Sequence, residues 1–221
     1  MSSADVASSP STYAGHLSNG DGMAASRAYR PTHPELFEVR FEEGAYNSSL
    51  VALRSFKKDE VIAAMTAATP SSQIRYSTVQ VSEQSHIELN SDLLYCNHSC
   101  SPSVRFDVST PASEASGRGA WAARAEQDIA KGDVLTFFYP STEWHMSQPF
   151  QCNCGSSQCL GMISGAQHID AKKLARYFLN AHILRLKEAQ LVQAGDAEGA
   201  RMLVDGRNDV LGRAQPDEQT A

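Results

Sequence analysis

The chain has 221 residues, with 19 basic and 25 acidic side chains, a formal net charge of −6 and 42% hydrophobic residues. This length fits one sizeable core better than two full enzyme domains, and no apolar run reaches the ~20 residues that a membrane span requires. The net acidity without a basic stripe argues against direct nucleic-acid binding, because neutralising phosphates takes clustered Lys and Arg.

The first 33 residues are rich in Ser, Ala and Gly and poor in large apolar side chains. Such a segment cannot bury enough apolar surface to offset the entropy lost on ordering, so residues 1–33 are expected to form a disordered tail. The segment also lacks the basic and apolar blocks of a secretory signal. We therefore expect an intracellular protein, cytoplasmic or nuclear, whose thiols stay reduced.

Short apolar runs separated by turn residues fill residues 34–149, which predicts a β-rich domain. Alternating apolar positions mark half-buried strands at Val104, Phe106 and Val108, and at Val79 and Val81.

One pattern recurs in this region, as RSFKKDEVI in residues 54–62 and as EQDIAKGDVL in residues 126–135. Two ordinary turns leading into strands would also produce it. The run ASEASGRG at residues 112–119 predicts a surface loop.

Three cysteines stand close together in QCNCGSSQCLG, residues 151–161, at the spacing C-x-C-x4-C. Gly155 and Gly161 allow the sharp turns that bring such thiolates around one centre, and a reducing compartment disfavours disulfides. Structural zinc explains the spacing, but it needs a fourth ligand. The stretch LLYCNHSC offers three candidates, Cys96, His98 and Cys100.

The last part of the chain has apolar residues at helical spacing from Leu174 to Leu184, with Asp170 as a plausible N-cap and Gly195 as a stop. We expect one amphipathic helix of about six turns within residues 166–195. Its basic side chains, Lys187 among them, are expected on a solvated face. Residues 196–221 are expected to form a flexible tail.

The motifs NHSCSPS, GDVLTFFY and CNCGSSQC, in this order, resemble the SET-domain lysine methyltransferases that carry a post-SET zinc segment. The run LTFFYPSTEW is similar to that of the short single-domain SET proteins of filamentous fungi. The resemblance implies an α+β, β-rich fold of small curved sheets, with the SET domain at residues 34–149. A zinc-binding flap at residues 150–165 and a C-terminal helix would follow.

The resemblance also implies roles for individual residues. Its fourth zinc ligand is the cysteine of the NHSC stretch, so the metal set becomes Cys100, Cys152, Cys154 and Cys159. Asn97 and His98 would contact S-adenosylmethionine, and Tyr139 would be the catalytic tyrosine beside the transferred methyl group. The family's G-x-G falls at residues 47–49, where this chain has Asn-Ser-Ser, and Ser49 and Leu50 are expected at the cofactor.

The function implied is S-adenosylmethionine-dependent methyl transfer to a lysine of a protein or peptide, by a monomer. Two alternatives stay open. A SET-fold enzyme could act on a small molecule in fungal metabolism, with the aromatic run that includes Phe138 and Trp144 lining its pocket. The absence of both motif glycines would also suit a non-catalytic, zinc-stabilised binding module. Phe138 replaces the acidic residue often found before the final tyrosine of the family, which makes that side of the strand more apolar. Glu143 could bind a cationic substrate, although we expect an exposed loop carboxylate there.

Overall fold

The computed structural model describes residues 29–43, 47–109 and 121–212, with side chains up to residue 206. The strands are β1 (Phe37–Phe41), β2 (Ser48–Ala52), β3 (Val61–Ala64), β4 (Thr69–Ser71), β5 (Thr78–Gln80), β6 (His86–Glu88), β7 (Asn97–His98), β8 (Val104–Asp107), β9 (Ala122–Ala125), β10 (Val134–Phe137), β11 (Phe150–Gln151) and β12 (Met162–Ile163). The α-helices are α1 (Ala171–Leu174), α2 (Ala181–Gln193) and α3 (Ala197–Gly212), and 3₁₀ turns lie at Asp92–Tyr95, Tyr139–Ser141 and Ala166–His168.

The largest sheet has the order β1-β2-β10-β8-β9-β3, and β7 also pairs with β10. The β7 pairing is parallel and sets Asn97 opposite Thr136 and His98 opposite Phe137. Two smaller sheets are formed by β4-β6-β5 and by β11-β12. This arrangement brings two motifs that are distant in sequence, NHSC and LTFFY, side by side.

Alternation along β8 follows the predicted pattern, whereas β5 does not alternate, because all three of its residues are buried. Val104, Phe106 and Val108 are all at most 2% exposed, because successive side chains of β8 point to opposite faces. The main core gathers side chains from β1 to β10, with Phe106 stacked on Phe137 at 4.0 Å between ring centroids. The predicted β-rich α+β fold is confirmed. The predicted loop at residues 112–119 lies outside the described residues.

The recurrent pattern forms two equivalent turns that face each other. Phe56 and Ile129 exchange backbone hydrogen bonds, each 2.9 Å from N to O. In each turn a carboxylate accepts a hydrogen bond from the backbone N–H three residues earlier: Glu60 from Lys57, and Asp133 from Ala130. The two segments are therefore more than separate entries into strands, because they pair with each other.

The expectation of a disordered tail up to residue 33 is wrong for residues 29–33. Tyr29 packs edge-on against Tyr95 at 5.5 Å between ring centroids, and its hydroxyl donates to Asp92. The fully buried Asp92 carboxylate also accepts the backbone N–H groups of Thr32 and His33. A buried carboxylate needs such donors, and here they come from the segment that composition alone marked as unfolded.

The prediction of a single helix of six turns is also wrong. Its two ends were predicted correctly: Asp170 caps α1 by accepting a bond from Lys172 N, and the chain turns at Gly195 after α2. The helix is interrupted over residues 175–180, and the last of these, Asn180, is fully buried. Its amide donates to the carbonyl groups of Phe106 and Ser141 and accepts from Val108 N. These hydrogen bonds to the backbone of the β8 segment and of the 3₁₀ turn fix the Asn180 side chain in place, and α2 begins at the next residue.

The C-terminal segment departs from the expectation of a flexible tail at residues 196–221, because residues 197–212 form α3. Leu203 on this helix is 3% exposed and joins a second core with Leu174 and Ile183. Lys187, expected on a solvated face, is 4% exposed, and its ammonium donates to the backbone carbonyl of Gln167. Helical periodicity alone did not show that this side of α2 faces the 3₁₀ turn at Ala166–His168 and the ring of Trp144.

Candidate active site

The four cysteines implied as zinc ligands meet in space. Their sulfur atoms all lie within 4.8 Å of one another, in the set Cys100, Cys152, Cys154 and Cys159. Four thiolates around zinc at 2.3 Å would be about 3.8 Å apart, close to the 4.0 Å between the sulfurs of Cys100 and Cys152. The donor set and its spacing therefore fit a tetrahedral structural zinc site.

The surrounding backbone suits thiolates. Leu160 N donates to the sulfur of Cys100 at 3.3 Å. Burial acts to raise the pKa of Cys154, but backbone hydrogen bonds from Cys100 and Ser156 hold it down at about 6. Gly155 has a φ of 71°, which a residue without a side chain adopts freely. Cys96 is 2% exposed and lies outside this cluster.

His98 lies between the cysteine cluster and Tyr139. Its Nδ1 accepts the backbone N–H of Tyr139 at 3.2 Å, so the proton of the neutral ring is on Nε2, which faces the sulfur of Cys100 at 3.4 Å. Burial lowers the pKa of His98 to about 4, so the ring is neutral at neutral pH. Both ring nitrogens are thus engaged by the protein itself.

Tyr139 begins the 3₁₀ turn at the end of β10. Its hydroxyl donates to the backbone carbonyl of Cys96 at 3.3 Å, and its ring contacts His98 at 5.3 Å between ring centroids. Burial raises the pKa of Tyr139, so the phenol stays protonated. The predicted catalytic residue is therefore a half-buried, neutral hydroxyl group held by main-chain atoms.

Two cavities meet at Tyr139. The larger, which we call the wide cleft, has a volume of about 550 Å³ and is lined among others by Asn47, Ser48, Asn97, His98, Tyr139 and Phe150. This volume lies in the range of small-molecule and cofactor pockets, about 300–1,000 Å³. Its lining combines polar side chains with aromatic rings, which suits a nucleoside with a charged amino-acid end.

The smaller, which we call the narrow cavity, has a volume of about 60 Å³ and is lined among others by Tyr76, Leu94, Cys96, Phe137, Tyr139 and Glu143. One water needs about 10–15 Å³ by this measure, so the cavity takes a string of about four or five non-hydrogen atoms. Its walls select a slender, unbranched group.

No family model matches the chain. Methyltransferase flvH from Aspergillus flavus is 44% identical over 156 residues, which span 70% of this chain and 82% of flvH. The chain belongs to this methyltransferase family. The cysteine-bearing segment docks onto the NHSC stretch, as the motifs predicted.

Two solved structures of KRYPTONITE are similar to the methyltransferase over about half of its length. One, in complex with mCHG DNA and SAH, shares 14% identity at a TM-score of 0.40 and covers 53% of this chain. The other, which also holds an H3(1-15) peptide, shares 13% identity at a TM-score of 0.38 and covers 52%. The aligned part spans only 27% of each KRYPTONITE chain.

The expected cofactor residues of the methyltransferase are not all at the wide cleft. Asn97 and His98 line it, and the Asn97 amide donates to the backbone carbonyl of Ser48. Ser49 lies in β2 away from the cleft lining, and Leu50 is fully buried in the main core. The side chains that reach the cleft from the G-x-G position are instead those of Asn47 and Ser48.

Glu143 is the site residue whose environment the sequence did not reveal. It is 8% exposed, where an exposed loop carboxylate was expected. It follows the 3₁₀ turn, and its backbone N–H bonds to Tyr139 O at 3.0 Å, which folds it back toward the tyrosine. Only the tertiary packing of this turn against β5 could have shown the burial.

Helices in the described part of the methyltransferase are all too short or too polar to cross a membrane.

Proposed function

We propose that this protein transfers a methyl group from S-adenosylmethionine to the side-chain amine of a lysine in a protein. The observation that carries the proposal is the meeting of a cofactor-sized cleft and a narrow cavity at one tyrosine. Methyl transfer needs donor and acceptor side by side in a fixed orientation, and Tyr139 is common to the lining of both cavities.

The wide cleft would hold the cofactor. Asn47, Ser48 and Asn97 offer side-chain hydrogen-bonding groups there, while both ring nitrogens of His98 are occupied, leaving its backbone for cofactor contacts. When bound, the cofactor supplies a sulfonium methyl carbon that the amine lone pair takes up as the carbon–sulfur bond breaks and sulfur keeps the electron pair.

The protein's part in the reaction is alignment and electrostatics. The narrow cavity accommodates the Cγ to Nζ end of a lysine, whose ammonium group must lose a proton before its lone pair attacks. Tyr139 directs its oxygen lone pairs to where the polarised methyl group would lie, a stabilisation that works best in a dry site. Its phenol takes no covalent part.

The four-cysteine cluster would hold zinc and serve the site structurally. It joins the segment after β11 to Cys100, two residues after His98. Because β11 carries Phe150, which lies 5.6 Å from the His98 ring between ring centroids, the clamped segment also forms one wall of the wide cleft.

A protein substrate is supported by the surface around the narrow cavity. Ile74 is 59% exposed and Tyr76 is 38% exposed, and Tyr76 lines both cavities. Large apolar side chains on a surface beside a pocket are typical of a contact area for another chain.

The first test combines calorimetric titration with S-adenosylhomocysteine and transfer of labelled methyl from S-adenosylmethionine to a lysine peptide library and, separately, to free amines. Wild-type protein should bind the product in the micromolar range and label peptides. Tyr139→Phe should keep binding within about threefold and lose transfer by 100-fold or more, in the range seen for single transition-state donors.

Tyr177→Phe is the matched control, because its hydroxyl is also bonded to a backbone carbonyl, that of Cys100, but lies outside both cavities. It should keep transfer. Failure of the folded, zinc-loaded wild-type protein to bind the cofactor product would overturn the proposal. Labelling of free amines alone would replace the protein substrate with a small molecule.

A further inference from the structure

We propose that Glu143 is the carboxylate that recognises the positive charge of the substrate amine in the narrow cavity. This inference rests on the proposed function, since it assigns a residue to the selection of that substrate. It gives the cavity, whose lining contains no other acid, a reason to prefer an amine over an uncharged chain of the same size.

The position of Glu143 supports this role. It lines the same cavity as Tyr139 and Phe137, yet its side chain is only 11% exposed. The outer part of the cavity is formed by exposed residues, including Ser147 and Gln148, and the inner part by buried ones, including Cys96. Apart from Arg75 and Glu143, the residues that line the cavity are uncharged, so Glu143 is the one acid that a chain entering from the surface would meet there.

The acid is held in place from two sides. Its Oε1 accepts the backbone N–H of Gln80 at 2.8 Å, and the Gln80 side chain in turn accepts the backbone N–H of Trp144. Its backbone carbonyl accepts from Ala166 N. These bonds fix the carboxylate without neutralising it, because each donor is an uncharged amide.

Among the described residues, Glu143 has no cation in contact. Its sole ion-pair candidate is His86, with 3.9 Å between Oε2 and Nε2. Burial lowers the pKa of His86, so this ring is neutral at neutral pH. A buried carboxylate without a charged partner is costly, and an incoming ammonium group would supply the missing charge.

The experiment compares two probes that differ only at the end of the chain: N-acetyl-lysine methylamide and N-acetyl-norleucine methylamide. Binding is followed by NMR titration of the wild-type protein and of Glu143→Gln, each with and without S-adenosylhomocysteine. Wild-type protein should bind the lysine probe about 10- to 100-fold more tightly, the range of one charged hydrogen bond. Glu143→Gln should lose this preference and bind the norleucine probe as before.

Glu126→Gln is the matched control, since Glu126 is another partly buried carboxyl but lies beside Arg105 and outside the cavity. It should keep the preference. A wild-type protein without preference for the lysine probe would overturn the inference without any variant, even if Glu143→Gln failed to fold. An unchanged preference in folded Glu143→Gln would do the same. The protein could instead show a lysine preference that depends on Glu143 and yet not bind S-adenosylhomocysteine. That result would reject the methyltransferase proposal and leave the inference about Glu143 standing.

Discussion

At the scale of single residues, two buried acids show opposite electrostatics. Burial acts to raise the pKa of Asp92, but its bonds from His33, Tyr29 and Thr32 outweigh burial and lower it. Glu143 has fewer donors, and burial raises its pKa to about 7. Asp92 therefore holds residues 29–33 against the domain, whereas Glu143 destabilises the fold for as long as it is ionised.

Replacing Glu143 should therefore change the pH dependence of stability. Its folded pKa of about 7 exceeds the ordinary 4.5, so the folded state holds the proton more tightly, and stability falls as pH rises between these values. Glu143→Gln lacks this loss. Its free energy of unfolding relative to wild type should rise by about 3 kcal/mol between pH 4.5 and 8, measured by urea denaturation.

Asp92→Asn is the control for this change of stability with pH. Because the pKa of Asp92 is lowered on folding, its carboxylate is ionised in both states above about pH 5, and its contribution is lost only in more acidic solution. Its stability difference from wild type should stay constant from pH 5 to 8. A constant difference for Glu143→Gln over the same range would contradict the prediction.

At the scale of elements, the turn after β10 and the segment after β12 are locked by one glycine. Gly165 has a φ of 110°, and a β-carbon there would lie 2.3 Å from the carbonyl oxygen of Trp144. The two segments are also joined by the bond from Ala166 N to Glu143 O. Close backbone approach at this point holds the segment after β12 against the turn that carries Tyr139 and Glu143.

Gly165→Ala should destabilise the protein by about 2–6 kcal/mol, because strained backbone and overpacking each cost about 1–3 kcal/mol. Gly132→Ala separates the two causes. Its φ of 96° carries a similar strain, but no atom lies within 4 Å of the added β-carbon. Thermal or urea unfolding should show the larger loss for Gly165→Ala, and equal losses would show that the contact with Trp144 contributes nothing.

The elements also show where sequence patterns were sufficient. Strand β8 follows from strict alternation, and α1 begins at its predicted cap. The break at Asn180 could not be inferred, since its amide bonds to Phe106 O and Val108 N, more than 70 residues earlier. Helical spacing describes one face of a segment, and tertiary hydrogen bonds decide whether the segment is continuous.

At the scale of the whole molecule, the cysteine cluster closes the chain from Cys100 to the segment that begins at Cys152. Spacing predicted three of the four cysteines but left Cys96, His98 and Cys100 as candidates for the fourth ligand, and only the family resemblance supplied Cys100. The narrow cavity was not predictable. Its lining comes from Arg75 to Gln148, and only the packed fold brings those residues together.

Removing the metal should therefore unfold more than the flap. We expect one zinc ion per chain, and a chelator should lower the melting temperature by more than about 10 °C, because structural zinc in cysteine sites contributes on the order of 10 kcal/mol. Cys159→Ser should reproduce this loss. Cys96→Ser, at a cysteine outside the cluster, should keep its metal. Metal analysis with a thermal scan checks both, and full metal in Cys159→Ser would contradict the assignment.

The two facing turns provide one comparison inside a single molecule. Asp59 and Gly132 take equivalent places in them, and both have positive φ, 66° and 96°. In one turn a glycine adopts this backbone without cost, while in the other an aspartate does so with its carboxylate bonded to Arg105. The same left-handed backbone is thus reached in two ways: by the conformational freedom of Gly132 in one turn, and by the ion pair of Asp59 with Arg105 in the other.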